Sequence, residues 1–403
     1  MIAAVVVCAA SVLACGADAS SLPEPVELTP SQDTVPRQSP EFEPLPGSRA
    51  YFGELNAGVY RIEIPDAWNH RLVVYMRGSQ MYEDEISAEA PRLREYLIAN
   101  GYAWASTSYD TSLEIYGAAA DQAAALWDHF AKRFGRPEMT LAVGASMGGG
   151  AALISAERYP DRYQGALSAC GVAGSTPHHA QFADLLVAGS FAAGLTNTKF
   201  NHQFVADSVR QDIRPVLDSN AASRDLFERL WVSLSGGGRP FAIEGFELRE
   251  DAMWASSEDA VVGQLTDNST KEYVLDDSLG IDDDEFNAAA VRITPHDGVQ
   301  IPPGEDITGD IQVPVLILHT TGDGIVTLSQ VQYVQEMVWR AENEDLLSVQ
   351  LVPSPVHCGY EISDYARAFD ALVDWVESGE KPGCVVSLGG DADQRAAREL
   401  AGC

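Results

Sequence analysis

An apolar run, Thr140 to Val143, continues without a break into Gly144-Ala145-Ser146-Met147-Gly148, and a helical pattern from Met147 to Tyr159 begins inside the same five residues. A chain that passes from strand to helix within so few residues brings two backbones almost into contact. The positions two before and two after the apex must then be small, and both are glycine. The apex residue, Ser146, stands with its hydroxyl above the sheet edge and its backbone at a helix N-terminus, where unpaired N–H groups stabilise developing negative charge. The following Gly149-Gly150-Ala151-Ala152 lets that helix lie close to the sheet.

Short apolar strands alternate with longer helical patterns on both sides of this turn. Strands are expected at Val59 to Ile64, Leu72 to Met76, Tyr102 to Thr107, Gly165 to Ala169, Val313 to His319 and Ser348 to Val352. Helices are expected at Ala90 to Asn100, Ala118 to Phe134, Ser329 to Ala341 and Ile362 to Glu377. This alternation predicts an α/β fold with a mostly parallel sheet flanked by helices. It stops between residues 175 and 310, where helical stretches (Phe182 to Ala192, Gln203 to Leu217, Arg224 to Ser233) appear without a buried parallel strand. The expected organisation is a core of residues 49–174 and 311–378, a large, mainly helical lid over residues 175–310, and a Gly-rich tail over 379–403.

The N-terminus reads differently. Met1 to Ala14 is apolar, too short to span a bilayer comfortably and long enough for a signal-peptide core, though no basic residue precedes it. Val12-Leu13-Ala14-Cys15-Gly16 resembles a bacterial lipobox, which would make Cys15 the lipidated first residue of the mature protein. A plain secretory cut near Ala19 is the alternative. Residues 1–15 are therefore expected to be a signal peptide, and 16–48, rich in Pro, Ser, Glu and Asp, a disordered tether. The expected location is the bacterial cell envelope or the exterior. With 59 acidic against 26 basic residues and a net charge of -33, the chain has nothing with which to neutralise a row of phosphates, which excludes nucleic acid as partner.

Serine at its ordinary pKa is a weak nucleophile and needs a base. Of the eight histidines, His357 is the candidate, because it follows the last core strand in the loop Pro353-Ser354-Pro355-Val356-His357-Cys358-Gly359, and loops at strand C-termini are where α/β sheets build sites. His319 ends a strand and reads as a wall residue. His178 and His179 are adjacent, which sets them pointing apart. The base needs an orienting acid. Gly322-Asp323-Gly324 follows the strand ending at His319, whereas the corresponding slot after Gly165 to Ala169 reads Cys170-Gly171-Val172-Ala173-Gly174 and holds no acid. Acyl transfer also requires two N–H donors for an oxyanion. One is expected from Met147, the other from the loop Arg77-Gly78-Ser79-Gln80.

These motifs, in the order Ser146, Asp323, His357, resemble the α/β-hydrolase superfamily over most of residues 55–378. The resemblance implies a His-Gly pair in the oxyanion loop. The chain has Arg77-Gly78, so Gly78 and Ser79 both remain candidates for the second donor, with Ser79 favoured. Tyr159-Pro160-Asp161-Arg162-Tyr163, Gly165-Ala166-Leu167 and Cys170-Gly171 resemble secreted bacterial esterases and amidases of that superfamily. Tannase-like and feruloyl-esterase-like members carry a cysteine just before the serine, bonded to one just after the histidine. Here Cys358 follows His357, but Ala145 precedes Ser146. The pairing expected under this resemblance is Cys170–Cys358, with Cys170 at the end of the neighbouring strand, and Cys384–Cys403 closing the tail. Two free buried thiols are the alternative for the first pair.

The resemblance also places a lid at residues 175–310. Its aromatics Phe182, Phe191, Trp231, Phe241 and Trp254 are candidates either for a substrate pocket or for lid core. The run Asp282-Asp283-Asp284-Glu285 lacks the glycine and alternation of an EF-hand loop and reads as a solvated face rather than a calcium site. No motif calls for a cofactor or a metal. The expected activity is hydrolysis of a carboxylic ester on a small or oligomeric substrate. Amide or peptide cleavage by the same residues, and a non-catalytic, surface-anchored binding protein on a hydrolase scaffold, are the alternatives. Nothing in the sequence sets the oligomeric state.

Overall fold

In the computed structural model the residues described are 36–80, 83–110, 115–196, 199–200, 207–258, 265–294 and 301–383. The strands are β1 (Ser48–Leu55), β2 (Gly58–Pro65), β3 (Arg71–Met76), β4 (Ala103–Thr107), β5 (Met139–Ala145), β6 (Gly165–Ala169), β7 (Lys199–Phe200), β8 (Arg292–Ile293), β9 (Val315–Thr320) and β10 (Leu347–Val352). Eight of them form one sheet in the order β1-β2-β4-β3-β5-β6-β9-β10. The β1–β2 and β2–β4 pairs are antiparallel, and every other pair is parallel. The parallel strands are the continuous apolar runs of the sequence, because helices cover both of their faces. All their C-terminal ends lie at one edge, where Ser146, the Asp323 loop and the His357 loop emerge.

The helices are α1 (Arg94–Ala99), α2 (Gly117–Phe134), α3 (Met147–Arg158), α4 (Ser175–Ala192), α5 (Arg214–Ser219), α6 (Ala221–Leu234), α7 (Ala242–Glu247), α8 (Glu250–Glu258), α9 (Asp283–Ala289), α10 (Leu328–Arg340) and α11 (Ile362–Ser378). One face of the sheet packs on α2, α3 and α10 through Leu126, Phe130, Ile154 and Val334. The other packs on α1 and α11 through Leu97, Phe369 and Leu372. The insertion has a core of its own, built from Leu185, Phe227, Trp231, Phe246, Trp254 and Phe286. No helix among the described residues is long and apolar enough to cross a membrane.

Three features depart from the pattern of the sequence. The edge strand β1 has no apolar run, because its side chains alternate between half-buried and exposed positions. Helix α4 starts at Ser175 rather than Phe182. It is buried nearly all round, so it carries no polar stripe from which a helical period could be read. Residues 36–48, expected to be tether, lie against the core. Gln38 N donates to Ile86 O at 2.8 Å, and Phe42 packs 5.5 Å from Trp104. Leu45 N and the Ser48 hydroxyl donate to the fully buried carboxylate of Glu63, which Arg94 and Trp104 also bond. The acidic run is the solvated face expected of it, with Asp282, Asp284 and Glu285 exposed, and it also opens α9. The Asp282 carboxylate caps it by accepting from Glu285 N at 3.0 Å, and Asp283 accepts from Leu275 N. The Cys15 and Cys384–Cys403 expectations, and residues 1–35 of the expected signal peptide and tether, fall outside the described residues.

The insertion is tied back to the core at its C-terminal end by Glu305. Its carboxylate accepts from the first N–H groups of α2, those of Tyr116, Gly117 (2.8 Å) and Ala118 (3.1 Å). It thereby satisfies donors that the helix cannot satisfy itself and places negative charge at the positive end of the helix dipole. Replacement of Glu305 by alanine is expected to lower unfolding free energy by about 1–2 kcal/mol, read from urea midpoints, with Glu305→Gln losing less.

Candidate active site

The turn between β5 and α3 holds Ser146 at φ 56°, ψ −123°, in the left-handed region that a non-glycine residue enters only when its surroundings force it there. The forcing contacts are main-chain. A Cβ on Gly144 would overlap the carbonyl of Gly148, and a Cβ on Gly148 would overlap that of Met76. Ser146 N donates to Ala169 O at 3.0 Å, and Ser146 O accepts from Gly149 N and Val172 N. The serine is therefore fixed by β3, β5 and β6 at once, with its hydroxyl at the sheet edge.

His357 reaches it from the loop after β10. The Ser146 hydroxyl donates to His357 Nε2 at 3.1 Å, and His357 Nδ1–H donates to Asp323 Oδ2 at 2.6 Å. Asp323 is 1% exposed. Its other oxygen, Oδ1, accepts from Ile325 N and Val326 N, both at 2.9 Å. Burial alone would push this carboxyl up, but His357, His319 and the Val326 amide outweigh it and hold the group below its ordinary value. Asp323 therefore stays charged and fixes the tautomer that leaves Nε2 free to accept.

The supporting contacts come from both core and lid. His319 is fully buried, and its Nε2–H donates to Val326 O at 2.9 Å. Burial depresses its pKa, so it is the neutral wall residue expected of it. Gly322 N donates to Ser354 O at 2.9 Å, and Thr320 Oγ1 donates to Val356 O at 3.0 Å, coupling the acid loop to the histidine loop. Arg239 of the lid donates to Thr321 O at 2.7 Å and places a buried guanidinium near Asp323. Burial lowers the Arg239 pKa to about 10, with Asp323 opposing the shift. Cys170 and Cys358 form a disulfide with Cα atoms 5.2 Å apart. Their sulfurs and a His357 ring nitrogen form one close group, within 4.8 Å, and the sulfurs are bonded to each other. Gly78 lies against Ser146, since a Cβ there would be 3.5 Å from Ser146 Cβ. Met147 begins α3 directly after the serine.

These groups open into a cavity of about 500 Å³. Tyr75, Gly78, Ser79, Gln80, Glu83 and Glu89 line one side, and Ser146, His357, Cys358 and Ile325 the base. The lid contributes His178 and Phe182 from α4, and Ala252, Met253 and Ser256 from α8. Of the lid aromatics singled out from the sequence, Phe182 reaches the cavity. Trp231 and Trp254 are buried in the lid core, Phe191 packs against it, and Phe241 is 37% exposed. Sequence reasoning missed His178. The pair does diverge, for His179 Nδ1–H donates to Ser175 O at 2.6 Å while His178 packs on Phe182 and lines the cavity. The i,i+4 spacing of His178 and Phe182 was the available signal.

A depressed pKa at Asp323 has a signed consequence. Its contribution to stability is complete above the ordinary aspartate pKa of about 3.9 and is lost as pH falls through the lower folded value. Urea midpoints of wild type and Asp323→Asn, measured across the acid range, are expected to differ most near neutrality and to converge as pH falls through that window.

Residues 56–224 match the sequence profile of the Tannase-like family of unknown function (DUF6351). This segment holds Ser146 and the Arg77-Gly78-Ser79 loop but neither Asp323 nor His357. The chain is also similar to an o-phthalyl amidase of Xanthobacter agilis, at 23% identity over 80% of this chain and 86% of that protein. Among solved structures, proline iminopeptidase of Mycobacterium smegmatis aligns with a TM-score of 0.41 at 12% identity, covering 82% of this chain and 100% of that one. Feruloyl esterase B from Aspergillus oryzae aligns with a TM-score of 0.40 at 13% identity, covering 83% and 82%. With a mixed sheet that is parallel through its centre, helices on both faces and a strand–serine–helix turn at its edge, the chain has the α/β-hydrolase fold.

Proposed function

We propose that this protein is a serine hydrolase that cleaves a carboxylic ester through an acyl-enzyme. The observation that carries the reading is the continuous line of hydrogen bonds from Ser146 Oγ through both nitrogens of His357 to a buried, charged Asp323. Ser146 Oγ attacks the acyl carbon as its proton passes to His357 Nε2. The resulting oxyanion is met by the N–H of Met147 and by that of the Gly78–Ser79 loop. His357 returns the proton to the departing alcohol, leaving the acyl group on Ser146. Water, deprotonated by the same nitrogen, then releases the carboxylic acid and restores the serine. Throughout, Asp323 stays ionised and balances the transient imidazolium.

Amide cleavage is the second reading, favoured by the similarity to an o-phthalyl amidase over 80% of the chain. In that case the proton goes to an amine instead of an alcohol, and the same residues act in the same order. The cavity, roofed by His178, Phe182 and Met253, would select the acyl group. We further propose that the protein is exported. The disulfide beside the active site supports this, because such a bond persists in oxidising compartments.

A fluorophosphonate probe is expected to label the wild type and to label neither Ser146→Ala nor His357→Ala. Turnover of aryl esters should fall in both variants by on the order of 10⁴-fold or more. Faster turnover of matched anilides than of aryl esters would move the amide reading ahead. A folded wild type that does not label would leave a binding protein on a hydrolase scaffold as the better account.

A further inference from the structure

Arg77 stands just before the loop glycine that abuts Ser146, and it is fully buried. A buried guanidinium is costly unless its donors are met. Here Nε (3.1 Å) and Nη2 both donate to the carbonyl of Ser108, and Nη1 donates to the carbonyl of Gly78 at 2.8 Å. The group lies 4.7 Å from the centre of the Tyr109 ring, and Tyr109 is itself held at φ 60°. The fork thus joins the end of β4 to the loop after β3 and clamps one particular peptide unit, Gly78–Ser79.

The C=O and N–H of a trans peptide point in opposite directions. Holding the Gly78 carbonyl on Arg77 turns the Ser79 N–H to the other side of the peptide plane. Gly78 meets Ser146 directly, and Ser79 shares the cavity wall with it. We infer that Arg77 is a positioning residue for the acyl-transfer step: it aims the Ser79 N–H at the oxygen that becomes negative, and its charge strengthens that donor through the peptide it holds. This rests on the serine-hydrolase reading. It selects Ser79 over Gly78 as the second donor and gives the arginine a task in place of the histidine usual at that position. A guanidinium suits this task because its rigid fork can hold carbonyls from two loops at fixed angles, which a single ammonium cannot.

The test uses the full chain with an aryl ester and an arylboronic acid, which forms a tetrahedral adduct on the serine. Wild-type turnover that is lost in Ser146→Ala must come first; its absence would sink the serine-hydrolase reading itself and say nothing particular about Arg77. Arg77→Lys and Arg77→Met are then compared, with thermal melts establishing that each is folded at the assay temperature. The lysine variant keeps the charge and one hydrogen bond, so it guards against a methionine variant that fails to fold. In the folded variants kcat should fall about 10- to 100-fold, a fraction of what loss of a whole oxyanion donor costs, with KM changed less than about threefold. Boronate affinity should weaken in step with kcat, which a merely structural role would not produce. A folded variant with kcat within about threefold of wild type, or one whose kcat falls while boronate affinity is unchanged, overturns the inference.

Discussion

Two peptide backbones pressed together at the end of β5 govern the geometry of this molecule. Gly144 and Gly148 leave no room for a side chain between the strand, the helix that follows and the neighbouring β3. That closeness holds Ser146 in a backbone conformation it would not choose and points its hydroxyl over the sheet edge. The other groups of the site are arranged around this fixed point. Because β9 and β10 run parallel to β5, the loops that leave them emerge on the same edge and bring Asp323 and His357 to the serine.

The lid is joined to this arrangement through main-chain contact as well. A Cβ on Gly245 in α7 would overlap the carbonyl of Gly322, and Gly324 sits as closely against the Gly245 carbonyl. The helix therefore rests on the loop that carries Asp323, and Arg239 bonds the same loop from the side. The acid thus owes its position to the insertion as much as to the sheet. Helix α4 is held to the same loop, for Gln181 Nε2 donates to Ile325 O at 2.8 Å.

Most of the fold was legible because buried parallel strands and amphipathic helices leave opposite signatures in sequence. The core strands from β2 onward, α2, α10 and α11 fall within a few residues of the positions their patterns indicate. Illegible elements lack those signatures for physical reasons. Strand β1 is half exposed at a sheet edge, and α4 is buried on every side, so neither shows the expected period. In the site, Ser146, Asp323 and His357 could be singled out because each follows a recognisable strand. His178 could be reached only through its i,i+4 spacing from Phe182, and Arg239 not at all, since an arginine on a lid loop looks the same whether it faces solvent or bonds the loop that carries Asp323. Arg77 was visible only as a departure from the usual pair, and its meaning depends on which carbonyls it holds. The acidic run Asp282 to Glu285 is the exposed face its composition indicates, and its capping of a helix start is a use that composition alone does not reveal.

The Cys170–Cys358 bond joins residues 188 apart in sequence, one before the insertion and one after it. The whole lid therefore lies inside a covalent ring whose closure is the active-site edge. A protease that cuts the chain once within the insertion opens the ring without releasing a piece. Both halves of the core stay tethered through the sulfurs, one carrying Ser146 and the other Asp323 and His357. A clipped molecule would run as a single species until reduced, and Ser146, Asp323 and His357 would remain linked through a broken roof.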